Sequence, residues 1–187
     1  MPNEIREVGG SLDAMPTLVL DPQPAEIDDL LARRRESGID RWDEVWEGVL
    51  HMIPPPSHKH QLIASRLHRL LGPLVDDAGL ELTGEVGIGS DERDYRAPDL
   101  AVHRPADVEA QWHPTAALVV EIVSPNDKTW DKLDFYAALG VEELLIVDPQ
   151  VRAVHWLGLS GGEYRPLERS GLIELSRDDL AAWITWP

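Results

Sequence analysis

Apolar residues recur along the chain at two periods, and the switches between them mark out its elements. Ile63, Leu67, Leu70, Leu71 and Leu74 fall at the three- and four-residue spacings of a single helix face. Ser57 stands ahead of them as an N-cap and Gly79 closes them, so the pattern predicts the longest helix over about 58–77. His60 falls on that same apolar face, while Lys59, Arg66 and Arg69 lie to one side, where they stay wet. A shorter pattern, Ile27, Leu30 and Leu31 after Pro24, predicts a helix ending near Gly38. Its run Arg33-Arg34-Arg35 reads as a solvated face, with a phosphate-facing role as the alternative. A helix over about 127–139 follows Ser124-Pro125-Asn126, carries Lys128 and Lys132 on one side and ends at Gly140. The last helix opens near Ser176 and packs Leu180, Trp183 and Ile184.

Strand signals occupy the rest. Residues 42–52 read as two short strands bent about Glu47-Gly48, before Pro54-Pro55-Pro56 halts regular structure. Residues 81–88 alternate as one strand, paired antiparallel with the strand that delivers Asp99. Residues 116–121 and 144–147 are apolar enough to be buried strands, and with the helix between them they form a βαβ unit whose strands are parallel. Residues 151–159 alternate, with Val154, Trp156 and Gly158 on one side and Ala153, His155 and Leu157 on the other. Weaker strands are expected over 164–167 and 172–175. Residues 1–24, punctuated by Gly9-Gly10, Pro16, Pro22 and Pro24, form an extended arm able to add a strand to a neighbour. Residues 25–187 are expected to be a single domain of α/β class, a mixed α+β sheet with flanking helices.

Composition narrows the chemistry. A chain of 187 residues that is 43% hydrophobic and 27% charged buries a core and is not disordered throughout. Without cysteine there are no disulfides, thiolate zinc sites or cysteine nucleophile. No apolar run reaches the ~18 residues of a membrane span, and Met1-Pro2-Asn3-Glu4-Ile5-Arg6 does not open a signal segment, so a cytoplasmic protein is expected. The net charge of −17, from 17 basic against 34 acidic residues, weighs against general polyanion binding.

Two acids stand out against this background. Asp99 follows Pro98 and precedes Leu100-Ala101-Val102, while Glu121 follows Leu118-Val119-Val120. A carboxylate on or at the end of a buried strand needs a cation, a metal or a cage of donors. Two of them on neighbouring strands make a hard-oxygen site suited to Mg²⁺ or Mn²⁺. For Asp99 the competing explanation is a strand-end cap. For Glu121 it is a buried ion pair with Lys132 and no metal.

Several signatures then coincide in order. Glu44 ahead of Glu47-Gly48, Pro54-Pro55-Pro56-Ser57 ahead of His60, Pro98-Asp99, Glu121-Ile122-Val123-Ser124-Pro125, Lys132, Tyr136, Gly140-Val141 and Ile146-Val147-Asp148-Pro149 resemble the Uma family of restriction-endonuclease-like proteins. The resemblance spans roughly residues 40–160. It implies a PD-(D/E)XK nuclease: a restriction-endonuclease-like core, here with added β-hairpins, a Mg²⁺ or Mn²⁺ cofactor, DNA as substrate and a homodimer. Asp99 and Glu121 match the family's acids. Val123 stands where the motif lysine would be, and the resemblance transfers that role to Lys132 on the following helix. It also implies a supporting role for His60, toward metal-bound water or phosphate, and an outer-acid role for Glu44; read from the residues alone, His60 on an apolar helix face is more often a hydrogen-bonded core histidine, and Glu44 is equally a surface carboxylate. The main-chain carbonyl of Ile122 would be a third metal donor beside Asp99 and Glu121.

Other residues receive blander readings. Lys128 is a surface lysine, Tyr136 packs with its hydroxyl at the rim, and the seven tryptophans are mostly core or interface. Glu85 has an undetermined direction, either into the cleft or away. His51, His58, His68, His103, His113 and His155 lack zinc-ligand spacing. The glycines at 84, 87 and 89 open no helix and so make no phosphate loop. Two other functions stay open: a catalytically silent nuclease-like module for binding or assembly, and metal-dependent hydrolysis of a small phosphate ester.

Overall fold

The computed structural model describes residues 27–105, 109–110, 112–125 and 128–187, and the backbone of 18–20. Most of the arm expected over 1–24, the Pro24 helix start and Asn126 lie outside the described residues. The strands fall into two six-stranded mixed sheets.

The first sheet is built largely from local pairs. Strand β1 (Leu18–Leu20) lies antiparallel to β3 (Val49–Met52), which forms a hairpin with β2 (Glu44–Trp46). The hairpin loop is Glu47-Gly48, with φ of 51° and 86°. A loop of two such residues matches the right-handed strand twist, and glycine at the second site removes its Cβ strain. β6 (Asp94–Arg96), β5 (Gly87–Asp91) and β8 (Trp112–His113) complete this sheet.

The second sheet runs β12 (Glu163–Pro166), β11 (Ala153–Ser160), β10 (Glu143–Asp148), β9 (Leu118–Ile122), β7 (Leu100–His103) and β4 (Glu81–Gly84). β9 and β10 are parallel, as the βαβ reading requires. Helix α2 (His58–Asp77) covers one face, setting Ile63, Leu67 and Leu71 against Val102, Val120 and Ile122. Each such residue contributes about 1.5–3 kcal/mol of burial. Its N-cap is Ser57, whose Oγ accepts from the amide of His60. The opposite face takes α3 (Leu133–Ala138), with Tyr136 against Val119 and Leu144. Helix α1 (Asp28–Ser37) ends at Gly38 in the left-handed region (φ 68°), and α4 (Arg177–Trp183) starts on Ser176, whose Oγ accepts from Asp179 N.

Several expectations are corrected. The strand over 81–88 is two strands in different sheets, parted at Glu85 (φ 53°). Its partner breaks at the same level, because Ala97-Pro98-Asp99 separates β6 from β7 and Pro98 has no amide to donate. The two breaks form a crease between the sheets. Residues 172–175 make no strand; Ile173 and Leu175 are buried through a loop closed by Ser170 N→Leu175 O. The helix over 127–139 shortens to the single turn Thr129–Lys132 followed by α3. Trp183 is 49% exposed, while Leu180 and Ile184 pack as expected. Of the seven tryptophans only Trp156 is fully buried. Arg34 leaves the solvated face: its guanidinium grips the buried Asp43 and donates to Ile53 O at 3.2 Å.

Candidate active site

Asp99 sits in the crease, where both sheets contribute backbone. Its Oδ2 accepts a 2.7 Å hydrogen bond from Ile122 N. Its Oδ1 lies 3.2 Å from His60 Nε2, which is also 3.2 Å from the carbonyl oxygen of Ile122. The cap that starts α2 places His60 on its first turn, facing the sheet. Asp99 keeps 22% of its side chain exposed.

Glu121 alternates to the other face of β9 from Ile122 and meets α3 there. The hydroxyl of Tyr136 donates to Oε1 at 2.7 Å, and Lys132 Nζ lies 3.1 and 3.2 Å from the two oxygens. Lys132 also donates to Glu44 Oε1 at 2.8 Å. Glu44 in turn accepts from Ala97 N at 3.0 Å and from Trp46 Nε1 at 2.8 Å. A continuous chain of contacts therefore runs Glu44–Lys132–Glu121–Tyr136. Asp99, Ile122 and His60 form a second group, joined to the first through the adjacent residues Glu121 and Ile122.

Burial drives the electrostatics. It pushes the Glu121 carboxyl up to about 7; Lys132 opposes this, the charges of Asp99 and Glu44 add to it, and the Tyr136 hydroxyl lowers it slightly. Burial alone would lower Lys132, but Glu121 and Glu44 outweigh it and hold the ammonium above its ordinary range. Lys132 thus stays charged, and the proton gained near neutral pH resides on Glu121. The Tyr136 hydroxyl is raised by burial and by the same acids. Burial lowers His60, yet the bond to Asp99, the Asp99 charge, the Ile122 carbonyl and Glu121 together bring it out raised.

The group holds three carboxylates against one ammonium. That surplus of negative charge, with the carbonyl of Ile122 beside it, suits a small hard dication in kind. Among the described residues, no group of three or more His, Cys, Asp or Glu side chains is placed to hold a metal ion. The donor types are those of a hard-cation site, but the acids are engaged by Ile122 N, Lys132 and Tyr136 and are not arranged as ligands of one ion.

All five proposed site residues, Asp99, Glu121, Lys132, His60 and Glu44, come together. Tyr136 corrects the reading that left its hydroxyl at the rim: it is buried and donates to Glu121. Glu85 points elsewhere, accepting from Trp42 Nε1 at 2.8 Å and pairing with Arg41. Lys128 is exposed as expected, its Nζ 5.5 Å from the Trp46 ring centroid. Two residues escaped the sequence reading. Trp46 shares the strand face of Glu44 two positions away, a signal that period two supplies. Arg96, whose guanidinium lies 4.4 Å from the Trp46 ring and 3.8 Å from the Phe135 ring, carried no local signal.

Residues 27–185 match the model of the Uma2 family, described as "Putative restriction endonuclease". The structure is similar to the crystal structure of a "putative nuclease belonging to DUF820" from Anabaena variabilis. That likeness has 18% identity and a TM-score of 0.60, over 75% of this chain and 90% of the other. It concerns the fold. No curated protein matches the sequence. No helix among the described residues is long and apolar enough to cross a membrane.

Proposed function

The chain belongs to the Uma2 family of restriction-endonuclease relatives, and from that premise we propose that it is a metal-dependent endonuclease that cleaves phosphodiester bonds in DNA, as a homodimer. The observation that carries this reading is the bridging of Glu44 and Glu121 by Lys132 Nζ, beside Asp99 in the crease. Three acids of separate origin converge there with only one ammonium, a poor arrangement for packing alone.

Asp99, Glu121 and the Ile122 carbonyl would hold Mg²⁺ or Mn²⁺. When bound, such an ion acidifies water and relieves charge on the phosphorane-like transition state. Lys132, held as an ammonium, serves as a donor to a phosphate or water oxygen and is unfit as a base. Tyr136 and Lys132 fix the Glu121 carboxylate, and Trp46 and Ala97 N fix Glu44, so the acids are oriented before substrate arrives. The net charge of −17 makes DNA binding depend on local contacts, so affinity is expected to be modest and sensitive to salt.

Supercoiled plasmid incubated with Mg²⁺ or Mn²⁺ tests the reading. Wild type nicks it and Asp99→Ala does not; equal nicking by both removes the claim. One observation favours a second reading, a catalytically silent binding module: Lys132 is already engaged by both acids, and Val123 replaces the motif lysine. That module would bind no metal at Asp99 and Glu121. A calorimetric Mn²⁺ signal lost in Glu121→Gln decides against it.

A further inference from the structure

Trp130 and Trp183 stand about half in solvent, at 46% and 49% exposure. Trp183 belongs to α4, whose Leu180 and Ile184 join the core under α2. Trp130 lies on the opposite face of the second sheet, where its ring meets that of His155 at 5.2 Å and 77°. It sits in the single turn that ends at Lys132, two residues from the side chain that bridges Glu44 and Glu121. One near-perpendicular ring covers at most one face of an indole, so the other face is open to water beside the site.

An exposed apolar side chain standing by itself needs no explanation, but Trp130 has company. Lys128, just ahead of the same turn, is exposed and has no ion-pair partner among the described residues; its Nζ lies 5.5 Å from the Trp46 ring centroid. Lys132, by contrast, is shared between two carboxylates. Because β9 and β10 are parallel, the segment after β9 and the turn after β10 emerge at the same edge of the sheet. That second turn adds the exposed Val151 and Arg152. In a chain of net charge −17, an unpaired lysine, an arginine and a bare indole thus gather at the edge where the acids converge.

A cation next to an aromatic face meets both halves of a nucleotide, its phosphate and its base. The face of a base is available only in an unpaired strand; inside a duplex its neighbours cover it. We infer that the turn over 128–132 is a subsite for an unpaired DNA strand, with Trp130 stacking on a base and Lys128 meeting a backbone phosphate. The substrate is then single-stranded DNA or the unpaired part of a duplex. This rests on the DNA-cleavage reading above and narrows it. Stacking does not depend on net charge, so an acidic chain gains through Trp130 the affinity that it lacks for a duplex backbone.

The test is fluorescence anisotropy of labelled oligo(dT) and of a matched duplex, each titrated with the full chain in EDTA at low salt. Wild type binds the single strand more tightly. Trp130→Ala weakens single-strand binding on the order of tenfold and leaves duplex binding nearly unchanged, while Trp130→Phe keeps most of it. Should Trp130→Ala fail to fold, Trp130→Leu, which keeps apolar bulk without a ring face, takes its place. Lys128→Gln weakens binding of both DNAs and lowers the salt slope on the single strand by about 0.7. Tighter binding of the duplex, or unchanged single-strand binding in Trp130→Ala, overturns the subsite and leaves the nuclease reading to the plasmid assay. If Trp130→Ala instead turns dimers into monomers in sedimentation with single-strand affinity unchanged, the indole is a contact between copies and the proposal falls. No binding of either DNA by wild type also overturns it, and a plasmid left intact by the same protein with Mn²⁺ removes the DNA reading as well.

Discussion

Glu44 and Lys132 are 88 residues apart in the chain and 2.8 Å apart in space. Glu44 belongs to a hairpin of the first sheet, and Lys132 to the turn that leads into α3 on the second. Their ion pair crosses between the sheets and joins the hairpin to the Glu121 strand, with both side chains largely buried. Removing one partner of such a pair strands a charge in a poorly solvated place.

Lys132→Met is accordingly expected to cost about 3–5 kcal/mol in urea unfolding. Adding Glu44→Gln should restore part of that loss, because one of the stranded carboxylates becomes neutral. The double-mutant cycle should give a coupling of at least about 1 kcal/mol. Strict additivity would show that the two side chains act separately.

Tyr136→Phe removes a hydroxyl that donates to Glu121 at 2.7 Å and changes nothing else in the buried volume. A bond to a charged acceptor is worth about 1.5–3 kcal/mol, so well above pH 7, where Glu121 is ionised, the variant should fold and lose stability in that range. A midpoint equal to that of wild type would mean that the bond does not form in solution.

His103 predicts an acid-sensitive contribution away from the site. Burial, reinforced by the charge of His113, holds its imidazole down at about 4, against an ordinary 6.5. The two rings lie 4.3 Å apart, and His103 Nε2 is buried without a partner among the described residues. A base depressed in the folded state takes up its proton more readily when unfolded. Its contribution is therefore intact above about pH 6.5 and lost as pH falls toward 4. The loss amounts to about 3 kcal/mol. In His103→Phe this portion of the decline should vanish. Unfolding midpoints at pH 7, 5.5 and 4.5 that fall in parallel for both proteins would contradict it.

Two glycines make a paired prediction about the sheets. A Cβ on Gly89 would lie 2.7 Å from the Tyr95 Cα, inside the β5–β6 pairing, whereas one on Gly84 would meet the Asp99 carbonyl oxygen at 3.8 Å. Gly89→Ala should disrupt the first sheet and sharply lower the melting temperature. Gly84→Ala should leave it nearly unchanged. Similar losses in both would argue against this packing.

The sequence was most legible where local chemistry and burial agree. Ser57, the leucine spacing and Gly79 define α2, and the structure starts it on that cap with His60 facing inward. The turn residues Glu47-Gly48 specify their hairpin. Asp99, Glu121 and Lys132 could be brought together because an acid within an apolar strand demands a partner, and the next helix offers one. The division into two sheets was hidden, since alternation over 81–88 runs straight through Glu85 and only the backbone shows the turn. Arg34 and Asp43, nine residues apart, satisfy each other across a helix end in a way no periodicity encodes. Trp183 shows the opposite failure: its apolar character suggested burial, but it stands largely in solvent.

The crease at Pro98-Asp99 also makes the buried ion-pair chain a joint product of the two layers. A chain that has completed only the α2-bearing layer already owns Asp99 and His60, but it lacks Glu44 and so leaves Lys132 half-satisfied. The contact chain Glu44–Lys132–Glu121–Tyr136 is therefore complete only where both layers have closed on each other.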